Sequence, residues 1–125
     1  MKTLLLFIAI ALSINVFGQD KSTRSIVSNH VFVICDEKGV PLDIGDGIYG
    51  FMAFYDNGTA HMLMGSTLSD AIDGGSLQSG TWKSYDSNVS FTWDSTGKGS
   101  TWHRDGNSEN LLSSDGGIIR NLGDF

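Results

Sequence analysis

The groups in this chain that could do chemistry are three histidines, one cysteine, fourteen carboxylates and a scatter of serines. His30, His61 and His103 would have to converge to hold a metal ion or to move protons. Each stands more than thirty residues from the next, whereas zinc sites usually show two ligands a few residues apart. A hydrolytic serine would need the G-x-S-x-G elbow, and neither Gly65-Ser66 nor Gly99-Ser100 has that frame. Asp94-Ser95-Thr96-Gly97-Lys98-Gly99 contains glycines and a lysine but not G-x-x-x-x-G-K-[ST], and no helical pattern follows it. It reads as a flexible turn rather than a phosphate cradle. A glycosidase-type pair of carboxylates stays open, because the fold sets their separation. Cys35 is the only cysteine and alternates with Val31 and Val33. It can form no disulfide within the chain and reads as a buried, inert thiol. Asn57 and Asn88 satisfy the N-x-[ST] acceptor pattern, although turn and strand geometry explain both. The expectation is a protein that is not an enzyme and holds no cofactor or metal.

The aromatic and methionine residues point toward binding instead. Trp82 sits between Thr81 and Lys83, and Trp102 between Thr101 and His103. A large ring in an otherwise polar strand either fills a core or stacks on a sugar or apolar ligand. Val89, Phe91 and Trp93 alternate with Ser90, Thr92 and Asp94, the pattern of a half-buried strand. Trp93 is therefore expected in the core. Trp102, flanked at two-residue spacing by Ser100 and Arg104, is the better candidate for a binding surface. Met52 and Phe54 share one face of a strand whose other face carries Tyr49, Phe51 and Tyr55. Met62 and Met64 follow on the next strand. Trp82, Trp102, Met62, Met64 and Phe54 are the candidate ligand-binding residues.

The elements that would position these side chains follow from a period-two apolar pattern cut by turn formers. Strands are expected at residues 26–35, 48–55, 59–64, 80–85, 89–93, 100–103, 110–113 and 118–122. One or two helical turns are expected over 66–73, capped by Ser66 and ended by Gly74-Gly75. Asn57-Gly58 marks a tight hairpin. Eight strands joined by short links predict an all-β, antiparallel meander, barrel-like, with a β-sandwich as the alternative.

Residues 1–18 read as a cleaved secretory signal peptide, with Lys2 ahead of an uncharged apolar run at 4–12 and a small residue at Gly18. That run is about half the ~20 residues needed to cross a bilayer, and no second one follows, so no transmembrane helix is expected. Removing 18 of the 125 residues leaves 107, one domain spanning 19–125, long enough to bury a core without metal or disulfide support. Losing Lys2 leaves seven bases against fourteen acids, a net charge of −7, which argues against nucleic acid as a partner. Cys35 lies too far from the cleavage point to be a lipidated first residue. Secreted or periplasmic release is the expectation.

The run from Phe51 through Asp56-Asn57-Gly58-Thr59, then Gly80-Thr81-Trp82, then Val89 to Trp93, resembles the small secreted lipocalin-like β-barrel proteins of bacteria. In those, an F-x-x-D-G-T hairpin precedes a G-x-W strand and a further apolar strand. In this chain the G-x-W element stands mid-chain rather than on the first strand. The resemblance implies a barrel and a small apolar ligand. A protein-interaction module, of inhibitor or immunity type, is the alternative, with a protein partner in place of the ligand; a secreted hydrolase of unrecognised type is the third reading.

Overall fold

A computed structural model describes residues 22–75, 77–106, 108–114 and 116–124. The signal sequence read at 1–18, and its cleavage before Gln19, lie outside them. The chain enters through a short helix, α1 (Thr23–Val27), whose cap Ser22 accepts a hydrogen bond from the Ser25 backbone N–H at 3.2 Å. Ile26 and Val27, expected on the first strand, are on this helix instead. The serine cap starts a helical turn that β-branched residues tolerate, and Asn29, at φ 58°, redirects the chain before the strand begins.

Strands β1 (His30–Cys35), β2 (Tyr49–Phe54) and β3 (Thr59–Gly65) lead into helix α2 (Leu68–Gly74). Then come β4 (Gln78–Tyr85), β5 (Asn88–Trp93), β6 (Gly99–Arg104), β7 (Leu111–Ser113) and β8 (Ile118–Asp124). Every strand pairs antiparallel with the next, and β8 returns to β1. The eight strands close a barrel; the sandwich is not formed. In α2 the cap is Thr67, whose hydroxyl accepts from the Asp70 N–H, while Ser66 donates to the Asp70 carboxylate at 2.8 Å. Gly75, at φ 80°, ends the helix.

The β2–β3 hairpin turns on Gly58, at φ 90°, whose N–H donates to the Tyr55 carbonyl at 3.0 Å. Asn57 contributes its side-chain oxygen, which accepts from the Thr59 N–H. Gly58→Val is therefore expected to cost about 1–2 kcal/mol, the penalty of a branched residue in the left-handed region. A urea titration with an unchanged midpoint would contradict this.

Side chains alternate between two apolar clusters. The barrel interior holds Phe32, Phe54, Trp82, Val89, Phe91 and Leu111. Outside it, Val31, Val33, Phe51 and Leu63 form a second cluster with fully buried Ala71 of α2. This explains why β2 is apolar on both faces: one fills the barrel and the other lies in the cluster that α2 joins. Gly65 lets that helix fold straight back, since a Cβ there would lie 2.5 Å from the Ala71 nitrogen.

Helix α1 seals one end of the barrel. Ile26 and Val27 are fully buried in the interior cluster, each side chain stabilising the fold by roughly 1.5–3 kcal/mol. Polar ties fix the helix to three different places. Thr23 donates to the Asp86 carbonyl at 2.6 Å, Arg24 to the Asp56 carbonyl at 2.8 Å, and Asn121 of β8 to the Ile26 carbonyl at 2.7 Å.

Candidate functional site: the open end of the barrel

Among the described residues, no helix fills the opposite end. Two of the cavities there share Ile34 of β1 in their lining. The larger, about 700 Å³, is bounded by Ile34, Asp36, Glu37, Ser100, Trp102 and Ser113 among others. The smaller, about 300 Å³, is lined by Ile34, Ile44, Gly50, Met62, Met64 and Leu77 together with Gln78. Both volumes fall within, or at the lower edge of, the range of small-molecule sites. Strand alternation explains the lining: Ile34, Gly50, Met62, Met64, Ser100 and Trp102 all occupy inward positions, with Trp102 the deepest, from the middle of β6 where it pairs with Val89. Gly50 matters for space, because a Cβ there would come within 3.0 Å of the Ile34 Cδ1 atom.

The two cavities differ in chemistry. The smaller is a sulfur and hydrocarbon pocket with one amide at its edge. The larger mixes carboxylates and hydroxyls with an indole and an isoleucine. The Trp102 Nε1 atom is buried and has no hydrogen-bond partner. An indole N–H shut away from water without an acceptor costs about 1–3 kcal/mol.

Of the five candidate residues from the sequence, the structure brings Met62, Met64 and Trp102 to these cavities. It places Phe54 and Trp82 in the closed half. There the Trp82 N–H donates to the Tyr55 carbonyl at 2.7 Å, the Arg24 guanidinium lies 5.1 Å from its ring centroid, and Phe54 meets it edge-on at 5.7 Å. Trp93 stands edge-on to Phe91 at 4.7 Å. It is only partly buried and packs against the interior cluster in the same manner as Trp102. Sequence reasoning missed Ile34, which looked like one more core position, and the loop residues Asp36, Glu37, Leu42 and Ile44. A strand pattern carries no information about where a loop folds back.

The histidines have separate surroundings. His30 Nδ1 is 2.8 Å from the Ser28 carbonyl, His103 Nδ1 is 3.2 Å from the Asn88 side-chain oxygen, and His61 lies edge-on to Tyr55. Among the described residues, no group of three or more His, Cys, Asp or Glu is placed to hold a metal ion. Nor is any described helix long and apolar enough to cross a membrane.

Cys35 is 3 % exposed, at the end of β1. Burial pushes its thiol pKa up, nearby Arg120 partly opposes this, and Asp36 adds to it. The thiolate that reacts with electrophiles is thereby disfavoured. Native protein at neutral pH is expected to resist iodoacetamide for a time in which the urea-unfolded chain reacts completely. Equal labelling rates would contradict a closed thiol. No protein-family model, curated protein or solved structure matches the chain.

Proposed function

We propose that this protein is a secreted, non-catalytic, lipocalin-like binding module that takes a small, largely apolar ligand into the open end of its barrel. The observation that carries the reading is the asymmetry of the barrel's ends. One is filled by α1, while the other keeps cavities of about 700 and 300 Å³ floored by Ile34, Met62, Met64 and Trp102. A barrel filled only for stability has no use for methionines facing empty space, and flexible methionines suit ligands of varied shape. The eight-strand meander agrees with the lipocalin-like resemblance in the sequence, and the leader at 1–18 supports export.

Titration with medium-chain alkyl ligands is expected to change tryptophan fluorescence saturably, with Trp102 as reporter. Gly50→Leu should weaken binding by about tenfold or more by pushing on Ile34 and filling the smaller cavity. An absence of saturable change, together with full binding by the Gly50 variant in calorimetry, would count against the barrel mouth as the site.

The rim of the same end favours one second reading. Leu42, Ile44 and Leu77 are 43, 46 and 58 % exposed there, an apolar collar that a protein partner could cover. In that case the collar would bind a protein and the cavities would not bind alkyl ligands.

A further inference from the structure

We propose that the open end selects a cationic amphiphile, with its alkyl chain in the methionine pocket and a protonated amine head in the larger cavity. This rests on the barrel mouth being the ligand site, and it deepens that reading by fixing the head group.

Charge at the site supplies the first argument. Asp36 and Glu37 line the larger cavity, and among the described residues no lysine, arginine or histidine lines either cavity. The loops at this end add Asp43, Asp46 and Asp94, against Lys38 and Lys98. Arg120 approaches the same region but points its guanidinium at the Gly39 carbonyl, at 2.9 Å. An anionic head would thus enter a negative field that low-dielectric barrel walls concentrate, and a cation would be drawn into it.

Hydrogen bonding supplies the second argument, independent of net charge. The hydroxyls of Ser100, Ser113 and Ser114 and the two carboxylates offer acceptors for an ammonium group.

The division of the mouth supplies the third. Ile34 stands on the boundary between a mixed polar cavity and an apolar one. A ligand that satisfies both must itself be polar at one end and hydrocarbon at the other.

The test uses decylamine, decanol and decanoate, each below its micelle-forming concentration, titrated into the full protein by calorimetry. Decylamine should bind about tenfold tighter than decanol, and decanoate weaker than decanol by a similar factor. The preference should shrink as salt is added. Asp36→Asn with Glu37→Gln should bring amine and alcohol to equal affinity; the asparagine keeps the side-chain oxygen that accepts from the Lys38 and Val40 N–H groups. Equal binding of all three ligands, or tighter binding of decanoate, would overturn the head-group inference and leave the barrel-mouth site standing. Binding by none would overturn both.

Discussion

Trp82→Ala is expected to destabilise the protein by about 3–5 kcal/mol, the largest loss from any of its three tryptophans. The ring is 4 % exposed and sits where the closed end is tied together. It packs edge-on against Phe54, which in turn meets Phe32 edge-on at 5.5 Å. Its N–H holds the Tyr55 carbonyl at the β2–β3 turn, and Arg24 of α1 covers its face. Alanine would open a cavity, remove one of the two hydrogen bonds to that carbonyl and strip away the ring on which Arg24 of α1 rests. A loss of this size is a large share of the ~5–15 kcal/mol that holds a domain together. Trp102→Ala removes a ring that is only partly buried and whose N–H has no partner to lose, so its cost should be clearly smaller. Urea titrations compare the variants directly, and equal midpoints for Trp82→Ala and Trp102→Ala would refute the ordering.

Gly80→Val is expected to prevent folding, and Gly80→Ala to cost about 1–3 kcal/mol or more. The reason is proximity. A Cβ at Gly80 would sit 2.1 Å from the Thr92 carbonyl oxygen and 3.0 Å from its carbon. Both are backbone atoms of the paired strand and cannot rotate away. Gly80 pairs with Trp93 at the point where β4 and β5 bend around the barrel, and strand glycines commonly mark such corners. Gly74 is the matched control, because a Cβ there would meet nothing within 4 Å and its φ is not positive. Gly74→Ala should be neutral or slightly stabilising through helix propensity. Circular dichroism and thermal melts distinguish these outcomes, and a Gly80→Ala protein as stable as Gly74→Ala would show that the strand pair yields easily.

Most of the barrel was legible because each wall strand carries its own instruction. Val89, Phe91 and Trp93 alternate with polar neighbours, and Asp56-Asn57-Gly58 declares its turn. The start of the domain was not legible. Ile26 and Val27 continue the β-branched run into β1, and a single serine cap at Ser22 decides for helix against that composition. The site was legible in part. Met62, Met64 and Trp102 stood out as large apolar residues that the local pattern did not require. Trp82 stood out for the same reason, yet its role is set by Arg24 and Tyr55, partners 58 and 27 positions away in sequence. Nothing in the run from Asp36 to Ile48 indicates that the loop bends over the mouth, because loop paths depend on which side chains they meet.

The pairing of β1 with β8 sets His30 opposite Asp124, so the cylinder cannot be completed until almost the whole domain is present. Before that moment β1 and β8 each carry an open edge of unpaired amides. Closure joins residues at nearly the greatest possible sequence separation, and topologies of this kind fold on the millisecond-to-second scale. Closing the barrel means bringing β8 onto β1 past the register shift between Val31 and Phe32. A chain waiting for that strand can accept the β8 of a second copy instead. Strand exchange between two molecules is therefore the characteristic misassembly of this fold, favoured by high concentration during refolding and suppressed by dilution.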